Sequence, residues 1–258
     1  MNYKLFNLAL VGAMLMLVSC DKDDDDDQPV DTNTTGTAQI EFEHTWGMMG
    51  DHFHLNDWFV QPTTGDSLNF SDLRYYVTDV SLTDVNGNVW EEPESYYLID
   101  IEDHMGGIFA EINDVPAGDY TSMSFLLGVD SSRVAEGAQP GVLAPSDMFW
   151  SWNSGYIFLR MEGASPNAVD NGGAFVFHVG GWKEPNVASV RKTIDFEGQV
   201  MEVHRDVSPT VHLNVNMAHI WHDGTNLGEV PTIHMPGQAA KNMMTHFSHS
   251  INLDHIHN

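Results

Sequence analysis

From residue 37 onward apolar side chains recur at every second position, so the chain is predicted to form strands with one buried face rather than amphipathic helices. Ile40, Phe42 and His44 alternate with Glu41 and Glu43, and Phe53, Leu55 and Asp57 alternate with His52, His54 and Asn56. The same rule puts Tyr75, Val77, Asp79 and Ser81 on one face and Tyr76, Thr78, Val80 and Leu82 on the other. That run ends at 84–88, where Asn86-Gly87 marks a hairpin because both residues tolerate positive φ. Further strands are expected at 96–101, 120–128, 156–162, 175–179, 187–196 and 210–216, with turn chemistry between them such as Pro116-Ala117-Gly118 and Asn171-Gly172-Gly173. One segment has helical spacing: Met243, Phe247 and Ile251 recur every fourth residue behind Pro236, predicting a short helix over 237–249. The expected class is therefore all-β: an antiparallel β-sandwich with Greek-key-like connections, long loops and one short C-terminal helix, occupying 37–258 as one domain.

Composition narrows the chemistry. Of 258 residues, 37 are acidic and 10 basic, and a net charge of −27 opposes binding to nucleic acid or anionic headgroups. Cys20 is the sole cysteine, which removes intrachain disulfides and thiolate-rich metal sites. Its setting gives it another use. Lys4, the apolar stretch from Leu5 to Val18 and the run Leu17-Val18-Ser19-Cys20 read as a lipoprotein signal over 1–19 with a lipidated Cys20. An ordinary secretory signal or a short anchor is the alternative. Residues 20–36 carry five consecutive aspartates, Asp23 to Asp27, and form an acidic tether. Acidic residues behind a lipidated cysteine resemble the export signal of Bacteroidetes lipoproteins, so the expected address is the exposed face of the outer membrane.

The 14 histidines outnumber Lys and Arg together. His52-Phe53-His54 and His255-Ile256-His257 would each set two imidazoles on one side of an extended strand. Nitrogen ligands without thiolates suit copper or zinc, and Met48, Met49, Met243 and Met244 would favour Cu(I) if their thioethers faced inward. His219 with His222 and His246 with His249 are further pairs, none in a His-Glu-x-x-His arrangement. There is no Gly-x-Ser-x-Gly elbow, cysteine nucleophile or phosphate loop, so no enzyme activity is expected. Around Trp150 and Trp152 a run of aromatics forms either a hydrophobic plug or an oxidisable cluster.

Gly118-Asp119-Tyr120, Phe125-Leu126-Leu127-Gly128-Val129-Asp130, the run from Met148 to Tyr156, and Glu162-Gly163 resemble the MbnP family. Phe177-His178-Val179-Gly180-Gly181 and the closing Asp254-His255-Ile256-His257 resemble its Bacteroidetes branch. The resemblance implies an extracytoplasmic β-sandwich that binds copper through histidines together with a tryptophan oxidised to kynurenine. It also implies a partner, a dihaem cytochrome c peroxidase similar to MauG, which performs that oxidation. An Asn-His pair usual in methanotroph relatives is replaced here by Ser131-Ser132. The candidate ligands are His178, His255 and His257, then His44, His52 and His54. Trp150 and Trp152 lead for modification, followed by Trp90. Zinc scavenging, and a metal-free interaction module binding a protein or glycan, are the competing expectations.

Overall fold

The computed structural model describes residues 34–102, 108–137, 139–151, 153–221 and 226–258. Cys20, most of the acidic tether, Trp152 and His222 lie outside them. In chain order the strands are β1 (Thr35–Trp46), β2 (Asp51–His52), β3 (Trp58–Val60), β4 (Ser67–Asp84), β5 (Val89–Glu91), β6 (Tyr96–Asp100), β7 (Ile108–Pro116) and β8 (Gly118–Leu127). After a short helix α1 (Ser131–Ala135) come β9 (Phe149–Ser151), β10 (Gly155–Tyr156), β11 (Leu159–Ala164), β12 (Ala174–Val179), β13 (Val190–Asp195) and β14 (Met201–Val203). The chain closes with β15 (Thr210–Asn216), β16 (Thr232–Ile233), helix α2 (Gln238–Ser250) and β17 (Ile251–His257).

Two sheets result. In the first, β1 is flanked by β15 on one side and by β7 and β2 on the other, and β15 carries β17 at the edge. In the second, the long β4 is the spine, continuing through β8 to β13 and through β11 to β12 and β16. Their apolar faces meet in one core: Phe42 lies edge-on to Tyr75 at 6.0 Å and to Phe125 at 6.2 Å, and Trp46 meets Phe70 at 6.0 Å. The sandwich expected from alternation is present, with two parallel pairs inside it, β1–β15 and β12–β16. Parallel pairing here joins strands far apart in sequence, as a long crossover requires.

Local departures have local causes. Asp79 has φ of 49°, and the β4–β8 register shifts between Thr78 and Ser81. This bulge reverses the side-chain parity: Val77 faces Leu127 and Leu82 faces Met123, so Val77 and Leu82 share a face that strict alternation assigns to opposite sides. The run from His52 to Asp57 is not one strand, because β2 stops at His52 and Asn56 turns with φ of 67°. Helix α2 extends close to the expected span, burying Ala240, Met243, Met244 and Phe247, while Ile251 begins β17 instead of ending the helix. Met243 and Met244 are therefore core residues; Phe247 packs on Tyr75 at 4.8 Å. Among the described residues no helix is long and apolar enough to cross a membrane.

Candidate metal centre

Val211, Leu213 and Val215 of β15 are buried in the core, so His212 points outward. Register then builds a row across the first sheet. Glu41 of β1 lies opposite His212, and His212 lies opposite His255 of β17. Between His212 and Leu213 the β15–β17 register shifts, which inserts Asp254 as an extra residue beside His255. Such bulges re-aim side chains at sheet edges. The edge itself is tied down: the Ile256 N–H donates to Gln199 Oε1 at 3.0 Å and Asn258 Nδ2 donates to the Val200 carbonyl at 2.9 Å.

Both imidazoles are oriented by carboxylates. His212 Nδ1 sits 2.5 Å from Glu41 Oε2, with the two side chains only 22% and 19% exposed. His255 Nδ1 sits 2.8 Å from Asp254 Oδ2. An ionised carboxylate only accepts, so in the neutral form of each ring Nδ1 is the donor and Nε2 carries the lone pair. His212 Nε2 is buried and has no hydrogen-bond partner. Few buried polar atoms are left in this condition, and one on a histidine is an invitation to a ligand. A carboxylate on one nitrogen with the other free is also how metal-bound histidines are held.

The rings are placed as follows. His255 stacks on His212 with centroids 4.1 Å apart and planes 8° from parallel, and His257 lies 6.4 Å from His212 at 38°. Among the described residues no three His, Cys, Asp or Glu side chains converge on one point as they stand. A metal bonds in the plane of each imidazole, so the stacked pair cannot share one until a ring turns. His255, 53% exposed, has the room to do so. The His212–His257 separation of 6.4 Å lies at the outer limit for a shared ion, since bonds of about 2.0 Å to both rings allow centroids about 6.3 Å apart only in a linear arrangement, so this pair must also close in.

The other candidates lie elsewhere. His44 faces the core, where a 3.2 Å hydrogen bond joins its Nε2 to the Tyr75 hydroxyl. Burial drives its pKa from 6.5 down to about 3, against a hydrogen bond to the Phe42 backbone. His178 projects from β12, on the other sheet, and its Nε2 contacts Glu162 Oε1 at 2.7 Å. There it joins a network in which Arg160 and Arg74 grip Asp72 and Asp147. His52 and His54 sit 6.3 Å apart beside the β1–β2 turn. Trp150 lies over Gly180, and a Cβ there would come within 3.1 Å of its ring. Trp90 is half-buried on β5. His178 is thus separated from His255 and His257, and the histidine that joins them is His212. The alternation in 210–216 marks His212 as outward-facing, but only the β1–β15 pairing supplies Glu41.

A cleft of about 680 Å³ opens elsewhere, between Asp79, Glu91, Glu92, Asp130, Arg133 and Arg191. Its charges are mostly satisfied from within. Arg191 meets Asp79 at 3.2 Å, Arg133 meets Glu94 at 2.8 Å, and Asp130 caps α1. Burial raises the Asp79 and Glu92 carboxyls, but no histidine lines the cleft.

The MbnP family model matches residues 35–236, a span that includes His212 and ends before His255. No curated protein matches the sequence. Among solved structures, MbnP from Methylosinus trichosporium is similar at a TM-score of 0.52 and 17% identity, covering 80% of this chain and 82% of that one. At that identity the likeness is one of fold. With the family model spanning most of its length, the chain belongs to the MbnP family.

Proposed function

We propose that this chain is a copper-holding surface lipoprotein, with the metal at His212, His255 and His257 on the outer face of the first sheet. The observation that carries the reading is the His212 ring, whose Nδ1 is spent on Glu41 while its buried Nε2 has no partner. Imidazole donors without thiolates fit copper, with zinc the weaker competitor in the usual affinity order. Glu41 and Asp254 would fix the rings in one tautomer and raise their basicity. Bound copper would supply a redox-active centre; the residues around it bind and orient it, and the chain acts as its holder rather than as an enzyme.

In this reading Cys20 anchors the protein to the outer membrane, and the tether over 20–36 presents the domain at the cell surface. A dihaem peroxidase of the MauG kind is the partner that would convert a tryptophan to kynurenine. Trp150 is favoured because its ring lies over Gly180, two residues along from His178. Trp152 and Trp90 follow. Metal analysis with intact mass on protein matured in its native host tests the whole reading. Stoichiometric copper, a lipid on Cys20 and the mass change of an opened indole are expected. Zinc retained against competing copper would reassign the metal, and no bound transition metal after copper exposure would overturn the function.

A further inference from the structure

A second set of donors, Met48, Met49, His52 and His54, lies close together in sequence around the β1–β2 hairpin, several residues along β1 from Glu41. The turn is firmly built. Gly47 and Gly50 take positive φ of 71° and 67°, a conformation glycine adopts without strain. Asn216 clamps its base, accepting from the Gly47 N–H at 3.0 Å and donating to the Gly47 carbonyl at 2.9 Å. Between the glycines Met48 and Met49 stand 98% and 90% exposed. Met123, Met148, Met161, Met201, Met217, Met243 and Met244 are all buried, and Met235, at 65%, is the other exposed methionine among the described residues. Two thioethers held in water on an ordered turn contribute nothing to packing.

What they do have is neighbours with lone pairs. His52 and His54 follow within a few residues, their rings 6.3 Å apart, the most that one metal can bridge and then only in the linear arrangement that Cu(I) and Ag(I) accept. His52 Nδ1 faces Glu43 Oε1 at 3.5 Å, which leaves Nε2 as the nitrogen free to coordinate. Thioether sulfur is a soft, uncharged donor that selects Cu(I) and ions like it over Zn(II) or Ca(II). Nearby Glu43 and Asp51 supply negative charge to a cation arriving from solvent.

We propose that the β1–β2 hairpin tip is a soft-metal site, taking a monovalent ion of the Cu(I) and Ag(I) class on Met48 and Met49 sulfur with His52 and His54 nitrogen. Glu41 lies several residues back along β1 at about 3.3 Å per residue, so this site is separate from the one at His212 and stands whether or not that one binds metal.

Methyl NMR of the intact protein carrying ¹³C-methyl methionine, titrated with Ag(I), reads the site directly. The Met48 and Met49 methyls should shift together while the buried methionine methyls stay in place, and Zn(II) should leave all of them unmoved. Met48→Leu/Met49→Leu keeps the apolar surface and removes the sulfurs; Cu(I) competition against a chromophoric chelator should then show affinity at the tip lowered at least about ten-fold. His52→Asn/His54→Asn should weaken the same methyl shifts. Unmoved Met48 and Met49 methyls, or a leucine double variant that binds Cu(I) as the parent does, would overturn the proposal.

Discussion

His44 and His212 show how two imidazoles on neighbouring strands acquire opposite roles. His44 shares the inward face with Ile40 and Phe42 and is closed off by Tyr75, so it stays neutral. His212 faces outward, tethered by Glu41 through one nitrogen. Replacing Glu41 by Gln keeps a hydrogen-bond acceptor and removes the charge; copper affinity is expected to fall by about 10–100-fold, measured by competition with a chelator of known affinity. His44 sets a pH dependence with a definite sign. With a folded pKa near 3 and an ordinary value of 6.5, the unfolded chain binds this proton first as pH falls. Its contribution to stability is complete above 6.5 and declines as pH falls from 6.5 towards 3, by about 1.4 kcal/mol per pH unit. Urea unfolding at pH 7, 5 and 4 should show His44→Leu losing less stability on acidification than the parent; equal slopes would mean His44 is protonated in the fold. Alternation put His44 on the face of Ile40 and Phe42, yet the sequence still offered it as a ligand; its enclosure beside Tyr75, which sets it apart from the surface histidines, is seen only in the fold. His212 was not legible as a site residue, because a single strand does not announce its partner.

At the scale of elements, the strands most readable from alternation, such as β12 and β15, are those in which buried apolar residues occupy every second position without interruption. Those missed carry a local conflict. β7 contains Asn113-Asp114, with Asp114 at φ of 56°, and β17 is mostly polar because its exposed positions hold Asn252, Asp254, His255 and His257. The bulge at Asp79 was likewise invisible, since parity looks continuous until a register is known. Gly163 shows why one motif glycine is fixed. A Cβ there would lie 2.0 Å from the Asn69 carbonyl oxygen and 2.5 Å from the Phe175 ring, where β11 crosses β4. Gly163→Ala must push the spine strand away, and a loss of about 1–3 kcal/mol is expected in denaturant unfolding. A variant as stable as the parent would show that β11 and β4 are packed less closely than described.

For the molecule as a whole, the decisive feature is the parallel pairing of β1 with β15, followed by β17. It brings Glu41 beside His212 and His255, uniting the first described strand with the last. The proposed centre would exist only in the completed fold, which is why His-x-His spacing points to His255 and His257 and leaves out His212. The separation of His178 onto the other sheet follows from the same topology, since β12 pairs with β11 and β16. A net charge of −27 adds a field that draws cations to the surface without choosing among them. Selection falls to the oriented imidazoles. Electron paramagnetic resonance of the Cu(II)-loaded protein tests this directly: the parent should show hyperfine coupling to imidazole nitrogen, and His212→Asn with His255→Asn should abolish the signal of the bound ion while His178→Asn leaves it intact. An unchanged spectrum in the His212 and His255 variants, with loss in the His178 variant, would move the metal to the other sheet and contradict the assignment.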